Sequence, residues 1–189
     1  MSLPPVERSI SVSWDPGTAF RRFTGEFGSW WPYRSFSIGG ERIRRIVFEP
    51  KTGGRIYEEH RDGRRFQWGI VQTWEPPHRV KFSWHPSRDP SGAQDVNVEF
   101  VPEGSGTLVK LTSANWENWG AKASSARRGY SAGWNYVLNV MAGRRTARMA
   151  MLDLMISTMT LVQKFKGGRD GVIASSRGEI SNARSEEAL

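Results

Sequence analysis

The three histidines, His60, His78 and His85, are the side chains of this sequence best matched to proton transfer near neutral pH. His60 follows Glu58 and Glu59, and an acidic-plus-histidine cluster can supply a general acid or base. Its place just before Asp62-Gly63 predicts instead an exposed hairpin end. His78 falls in a Pro76-Pro77 turn, where solvent exposure is expected. His85 follows Trp84 at a strand end, within reach of a cavity mouth. No two histidines sit at the i, i+4 spacing of a helical metal site, and no nucleophile elbow, phosphate-binding loop or zincin motif occurs, so neither a metal nor a cofactor is expected. The 189 residues include no Cys, which excludes a thiol nucleophile, a thiolate zinc site and a disulfide framework. By parity with apolar neighbours, Gln72, Arg45 and Glu58 are the polar strand residues that can face an interior. A charged group there without a partner is costly and points to a polar ligand group.

What must position these residues is a sheet. From Gly53 to Trp84, Phe66, Trp68, Ile70 and Trp74 recur at even spacing, and Val80, Phe82 and Trp84 resume the pattern after the Pro-Pro turn. Such alternation predicts antiparallel strands with one apolar and one polar face. Upstream, Ile10, Val12 and Trp14 alternate with serines in a first strand. Asp15-Pro16 then supplies an N-cap and a proline at the first helical position, and Ala19, Phe20, Phe23 and Phe27 form a helical stripe closed by Trp30-Trp31-Pro32. A loop over 33–40, a strand over 42–49 and a hairpin at Pro50–Gly54 follow. Beyond Trp84, strands are expected over 94–101 and 107–116. After Trp116 the period changes from two to about 3.6, and Tyr130, Trp134, Val137, Leu138 and Met141 share one face of a long helix. The architecture expected is α+β: a strongly curved antiparallel sheet of about seven strands wrapped around that helix, the only long cover available for the apolar face.

Nine Trp are many for this length, and Trp, bulky with one N–H to satisfy, suits both a core and the half-buried wall of a pocket. The residues expected to line a cavity over the sheet are Trp31, Phe66, Trp68, Ile70, Gln72, Trp74, Phe82, Trp84, His85, Tyr130, Trp134 and Leu138. The formal net charge is +8, densest at Arg42/Arg44/Arg45, Arg61/Arg64/Arg65 and Arg144/Arg145/Arg148. Spread over strands and hairpin tips, it reads as solvated outer-face charge and not as a nucleic-acid footprint. No apolar run approaches a membrane span, and residues 1–14 lack the apolar core of a signal peptide, so a cytoplasmic location is the default expectation. Leu152, Met155, Ile156, Met159, Val162 and Phe165 mark an amphipathic extension over 144–166 that can pack on the domain, close over the cavity or pair two copies as a homodimer. A polar tail over 167–189 is expected to be disordered.

The ordered set of Asp15-Pro16, Trp30-Trp31-Pro32, Pro50 with Gly53-Gly54, Trp68-Gly69-Ile70-Val71, Pro76-Pro77-His78-Arg79-Val80, Phe82-Ser83-Trp84, and Tyr130 with Gly133-Trp134 resembles the activator of heat-shock-protein-90 ATPase homologue family. That family lies within the START-like, birch-pollen-allergen-like helix-grip superfamily (SRPBCC), and the likeness covers residues 6–143. It implies a usually apolar cavity between sheet and long helix. Members are binders of lipids, sterols and hormones, polyketide cyclases, or co-chaperone domains, and fold does not choose among them. Three readings follow: a module holding a hydrophobic or aromatic small molecule, a cyclase- or hydrolase-type enzyme in the same cavity, and a domain with a chaperone partner.

Overall fold

The computed structural model describes residues 2–86, 88–144 and 151, and all that follows belongs to the first of the chain's two units, Met1–Thr146. But for Arg144 and Met151, the amphipathic extension, the polar tail and the homodimer contact expected over 144–166 lie outside the described residues. The strands are β1 (Val6–Val12), β2 (Ile43–Phe48), β3 (Arg55–His60), β4 (Arg65–Glu75), β5 (Arg79–Trp84), β6 (Gln94–Glu103) and β7 (Gly106–Ala114). They form one antiparallel seven-stranded sheet in the order β1-β7-β6-β5-β4-β3-β2. Consecutive hairpins account for every pairing except that of β1 with β7, which brings the two ends of the chain's strand run together. Helix α4 (Ala123–Met141) has 19 residues, so it is about 28 Å long at the usual rise, and it packs against β1. This is the helix-grip architecture expected from the change of period at Trp116.

Helix α1 (Pro16–Thr24) starts where Asp15-Pro16 predicted, with the Thr18 amide donating to Asp15 Oδ1 at 3.0 Å. That bond satisfies one of the free amides of the first turn. Thr24 ends α1 earlier than the Phe20–Phe23–Phe27 stripe suggested; Phe27 belongs instead to a one-turn helix, α2 (Phe27–Trp30). A further one-turn helix, α3 (Tyr33–Phe36), stands where a loop was expected. Four residues are too few for a hydrophobic period to announce them.

The sheet curves because its strands carry extra residues. The β2–β3 ladder shifts register between Ile43 and Arg45, β3–β4 between Ile56 and Tyr57, and β4–β5 between Val71 and Thr73. Each shift is a bulge that bends the strand and increases its twist. At the second, Gly69 lies so close to the next strand that a Cβ there would stand 1.8 Å from the Ser83 carbonyl oxygen. Only glycine permits that approach. Gly69→Ala is expected to destabilise the domain by about 2–3 kcal/mol, since backbone on both sides of the bulge must shift; urea denaturation checks it, and an unchanged midpoint would refute the close approach.

The concave face carries the core, including Val80, Phe82, Val96, Val98, Phe100, Val109 and Leu111, all fully buried. On the convex face the arginines find local counter-charges. Glu59 is approached by Arg44 at 3.7 Å, Arg45 at 3.0 Å and Arg65 at 2.9 Å, and the hydrogen bond from Arg45, with a second from Arg65, holds its carboxyl below the usual range against the opposing effect of burial. Arg64 pairs with Asp62 at 2.7 Å. No helix among the described residues is long and apolar enough to cross a membrane, which says nothing of spanning by strands.

Candidate functional site: an aromatic cleft beside a buried Glu–His pair

Trp31 is the hub of the site. It follows α2 directly, is 4% exposed, and stacks on Phe27 with ring centroids 4.8 Å apart. Trp68 of β4 and Trp84 of β5 lie 5.4 and 5.5 Å from it, and Trp134 of α4 lies 6.5 Å away. These rings come from four separate elements and meet near the end of the sheet where α4 crosses it. They do not close on one another completely. A cleft of about 420 Å³ remains, floored by Trp31 and Trp84 and bounded by two walls. One wall is α4, through Ala126, Gly129, Tyr130, Gly133, Trp134 and Val137; the other is α3 and the residues after it, through Ser35, Phe36, Ser37 and Ile38.

The α3 wall is fixed by three contacts. Phe36 stacks on Tyr136 of α4 with centroids 5.2 Å apart, the Trp31 indole N–H donates to the Phe36 carbonyl at 3.2 Å, and the Ile38 amide donates to Glu58 Oε2 at 3.0 Å. The other carboxylate oxygen, Oε1, stands 2.5 Å from His60 Nε2. Histidine and carboxylate are thus joined by a buried hydrogen bond, and the Ile38 amide serves the second carboxylate oxygen. Glu58 is 0% and His60 1% exposed. The exposed hairpin end expected for His60 is therefore corrected. Ile56, Glu58 and His60 share the concave side of β3, and the segment after α3 covers them. Phe66 packs on the imidazole at a tilt, with centroids 4.5 Å apart, and Gly39 lies against it so closely that a Cβ would stand 2.2 Å from Nε2. His60 Nδ1 is buried with no partner among the described residues. The pair lies behind the Ser37–Gly39 wall and not on the cleft surface.

Of the residues expected to line a cavity, Trp31, Trp84, Tyr130 and Trp134 do line this cleft. Trp68 supports its floor from below, 5.5 Å from Trp84. Phe82 and Leu138 are buried one layer deeper, and His85, 4% exposed, adjoins Trp84 without reaching the surface of the cleft. Phe66 attends His60. Trp74 packs on Phe20 and Phe48. It lies six residues along β4 from Trp68, roughly 20 Å in an extended strand, and so serves the end of the core under α1. Two expectations are overturned by the bulges. Ile70 is 36% exposed, because the extra residue between Gln67 and Gly69 turns it outward and sends Val71 in. Gln72 is exposed and donates to Asp95 at 3.1 Å. Arg45, also weighed as an inward group, lies outward on Glu59. His78 is exposed, as its turn suggested.

The cleft is apolar, and its electrostatics come from few groups. Burial pushes the Tyr130 phenol up, against the charge of Arg88 and a contact with the Trp84 side chain that pull it back. Arg88 itself lies 3.5 Å from the centroid of the Trp119 ring. The Trp134 and Trp68 indole N–H groups, His85 Nδ1 and Gln94 Oε1 are buried without a partner among the described residues. Gln94 pairs with Trp84 across β5 and β6, so that polar atoms without partners surround the floor of the cleft. Among the described residues no group of three or more His, Asp or Glu is placed to hold a metal.

Comparison with known proteins agrees with this fold. The chain is similar in structure to an anthrahydroquino-γ-pyrone synthase, Txn09, with 29% identity over 76% of this chain and 98% of that one and a TM-score of 0.54. Protein MLL2253 from Mesorhizobium loti shares the fold at 15% identity over 74% and 95% of the two chains, with a TM-score of 0.54. So does the Aha1 dimer from Colwellia psychrerythraea, at 12% identity over 76% and 100%, with a TM-score of 0.51. No curated protein matches. The pattern of the family described as Activator of Hsp90 ATPase homolog 1-like protein matches residues 16–144, from the first residue of α1 to just past the last of α4, and the chain belongs to that family.

Proposed function

We propose that this domain binds a hydrophobic small molecule of aromatic character in the cleft between α4 and the curved sheet. The observation that carries the reading is the space itself: about 420 Å³ left among Trp31, Trp84, Tyr130 and Trp134. Side chains of this size normally close-pack, and a core made of them leaves few voids larger than a water molecule. The volume lies in the range of small-molecule sites, which are mostly apolar with a few placed polar groups. Binding is tested by titrating the full chain with a panel of fatty acids, sterols and polycyclic aromatics. A ligand at about one hundred times its Kd is expected to stabilise the fold by about 2.7 kcal/mol, together with a change in tryptophan emission. An unmoved melting temperature and unchanged emission across the panel would overturn the reading.

A second reading, an enzyme acting on an aromatic compound in the same cleft, is favoured by the likeness to a named synthase at 29% identity and by the buried Glu58–His60 pair. It ranks second because that pair is screened from the cleft by Ser37–Gly39, and general acid–base catalysis needs its proton within hydrogen-bond reach. A chaperone partner, which the family's name raises, rests on no feature of the cleft.

A further inference from the structure

Two glycines interrupt α4 at Gly129 and Gly133, one turn apart on the face that lines the cleft. Neither has a positive φ, so the backbone does not require them, and glycine inside a helix is unfavourable relative to alanine. Packing among the described residues does not require them either. A Cβ at Gly129 would meet nothing within 4 Å, and one at Gly133 would make ordinary contact, 3.4 Å, with Phe36 Cε1. What the missing side chains leave bare is the helix wall of a cleft that is also lined by the rings of Trp31, Trp84 and Phe36, a wall continued by Ala126. A bare helix wall in a cleft lined by aromatic rings is a slot for something flat.

Tyr130 stands beside this track. Its phenol, pushed up by burial, keeps its proton at neutral pH and is a donor. Among the described residues, the other hydroxyls on the cleft belong to Ser35 and Ser37. Ser37 Oγ already bonds the Tyr33 carbonyl and accepts from the Gly40 amide, and none of the described residues that line the cleft is a carboxylate. The Arg88 charge, felt at Tyr130, adds a potential favouring negative oxygen. We infer that the cleft selects a planar fused-ring ligand carrying a ring carbonyl or phenolate oxygen, with the rings seated on Gly129 and Gly133 and the oxygen accepting from the Tyr130 hydroxyl. This inference rests on the small-molecule reading above and adds to it a shape, a functional group and a specificity residue.

The test uses three probes matched in charge, each with one carboxylate: anthraquinone-2-carboxylate (flat, ring carbonyls), anthracene-2-carboxylate (flat, no ring oxygen) and dodecanoate (flexible). Calorimetric titration of the unaltered full chain is expected to rank them in that order, with an advantage of about tenfold for the quinone over the hydrocarbon, the effect of one satisfied hydrogen bond. Tyr130→Phe is expected to reduce that advantage to under about twofold while anthracene-2-carboxylate binds as before, which also shows that the cleft is intact. Gly129→Leu, whose side chain enters open space, is expected to weaken both flat probes by about tenfold or more at a melting temperature no lower than that of the unaltered chain. Equal affinity for quinone and hydrocarbon in the unaltered chain, or a parallel loss of both in Tyr130→Phe, overturns the role of Tyr130. Dodecanoate binding as tightly as the flat probes overturns the slot but leaves small-molecule binding standing. Binding of none of the three overturns the slot, while the small-molecule reading falls only if the wider panel also fails.

Discussion

Replacing Glu58 with alanine is expected to cost about 3–5 kcal/mol of folding stability, the usual penalty for breaking a buried pair by removing one partner. The change strands two donors at once, His60 Nε2 and the Ile38 amide, which meet the two carboxylate oxygens at 2.5 and 3.0 Å. It also opens a hole at a residue that is 0% exposed. Native domains hold only about 5–15 kcal/mol in all, so much of the protein's margin disappears. Glu58→Gln keeps the shape and an acceptor for one of the two donors, and is expected to lose about 1–2 kcal/mol. The double replacement Glu58→Leu/His60→Leu is expected to recover about half of what Glu58→Ala loses, because apolar residues of similar volume commonly replace a buried pair at little cost while the Ile38 amide stays without its acceptor. Urea denaturation of the three variants separates these outcomes. A loss below about 1 kcal/mol for Glu58→Ala would place the carboxylate in water and not in the core.

If the double replacement recovers that much, stability is not all that the pair contributes, and its geometry points to the rest. Glu58 Oε2 holds the backbone of Ile38, and Ile38 is a wall residue of the cleft. Gly39, next in sequence, lies against the imidazole with no room for a Cβ. The pair thus sets where the wall after α3 stands relative to the sheet. The double variant is accordingly expected to fold but to bind cleft ligands more weakly than the unaltered chain.

The antiparallel strands and the long helix were legible in the sequence because their periods, two and about 3.6, are properties of how side chains project from the backbone. The same rule failed at Ile70 and Gln72. Parity counts residues, and a bulge adds one without announcing it; after Gly69 every inward assignment on β4 was one position off until a second bulge restored Trp74. A signal was present in Gly69 itself, since a glycine inside a strand pattern marks a bulge or a close approach. Glu58 and His60 carried a signal too: they share parity with Ile56, but nearness to Asp62-Gly63 argued for solvent, and a cover supplied from residues 37–40 has no local mark in β3. The rings on the floor of the cleft were readable from residue type. The α3 wall was not, because a one-turn helix has no period and its position depends on Phe36 meeting Tyr136 a hundred residues further along the chain.

Trp31→Ala is expected to be as damaging to stability as the loss of Glu58 and more damaging to function. Trp31 is 4% exposed and packs on Phe27, Trp68 and Trp84 with centroids 4.8 to 5.5 Å away. Truncating a buried tryptophan costs about 3–5 kcal/mol, the lost transfer energy plus the cavity its neighbours cannot fill. These neighbours are constrained: Trp68 and Trp84 are anchored in β4 and β5, and Phe27 in α2, so the hole is expected to persist and merge with the cleft above it. The variant also loses the N–H that holds the Phe36 carbonyl at 3.2 Å, which frees one contact of the α3 wall. Trp31→Phe restores most of the ring packing but not that hydrogen bond. Its melting temperature is expected to lie between those of the alanine variant and the unaltered chain. Ligand affinity in Trp31→Phe then reports on the smaller floor ring and the loosened wall together: a loss of about tenfold is expected, whereas unaltered affinity would show that a phenyl floor suffices and that the position of Phe36 does not matter to the ligand.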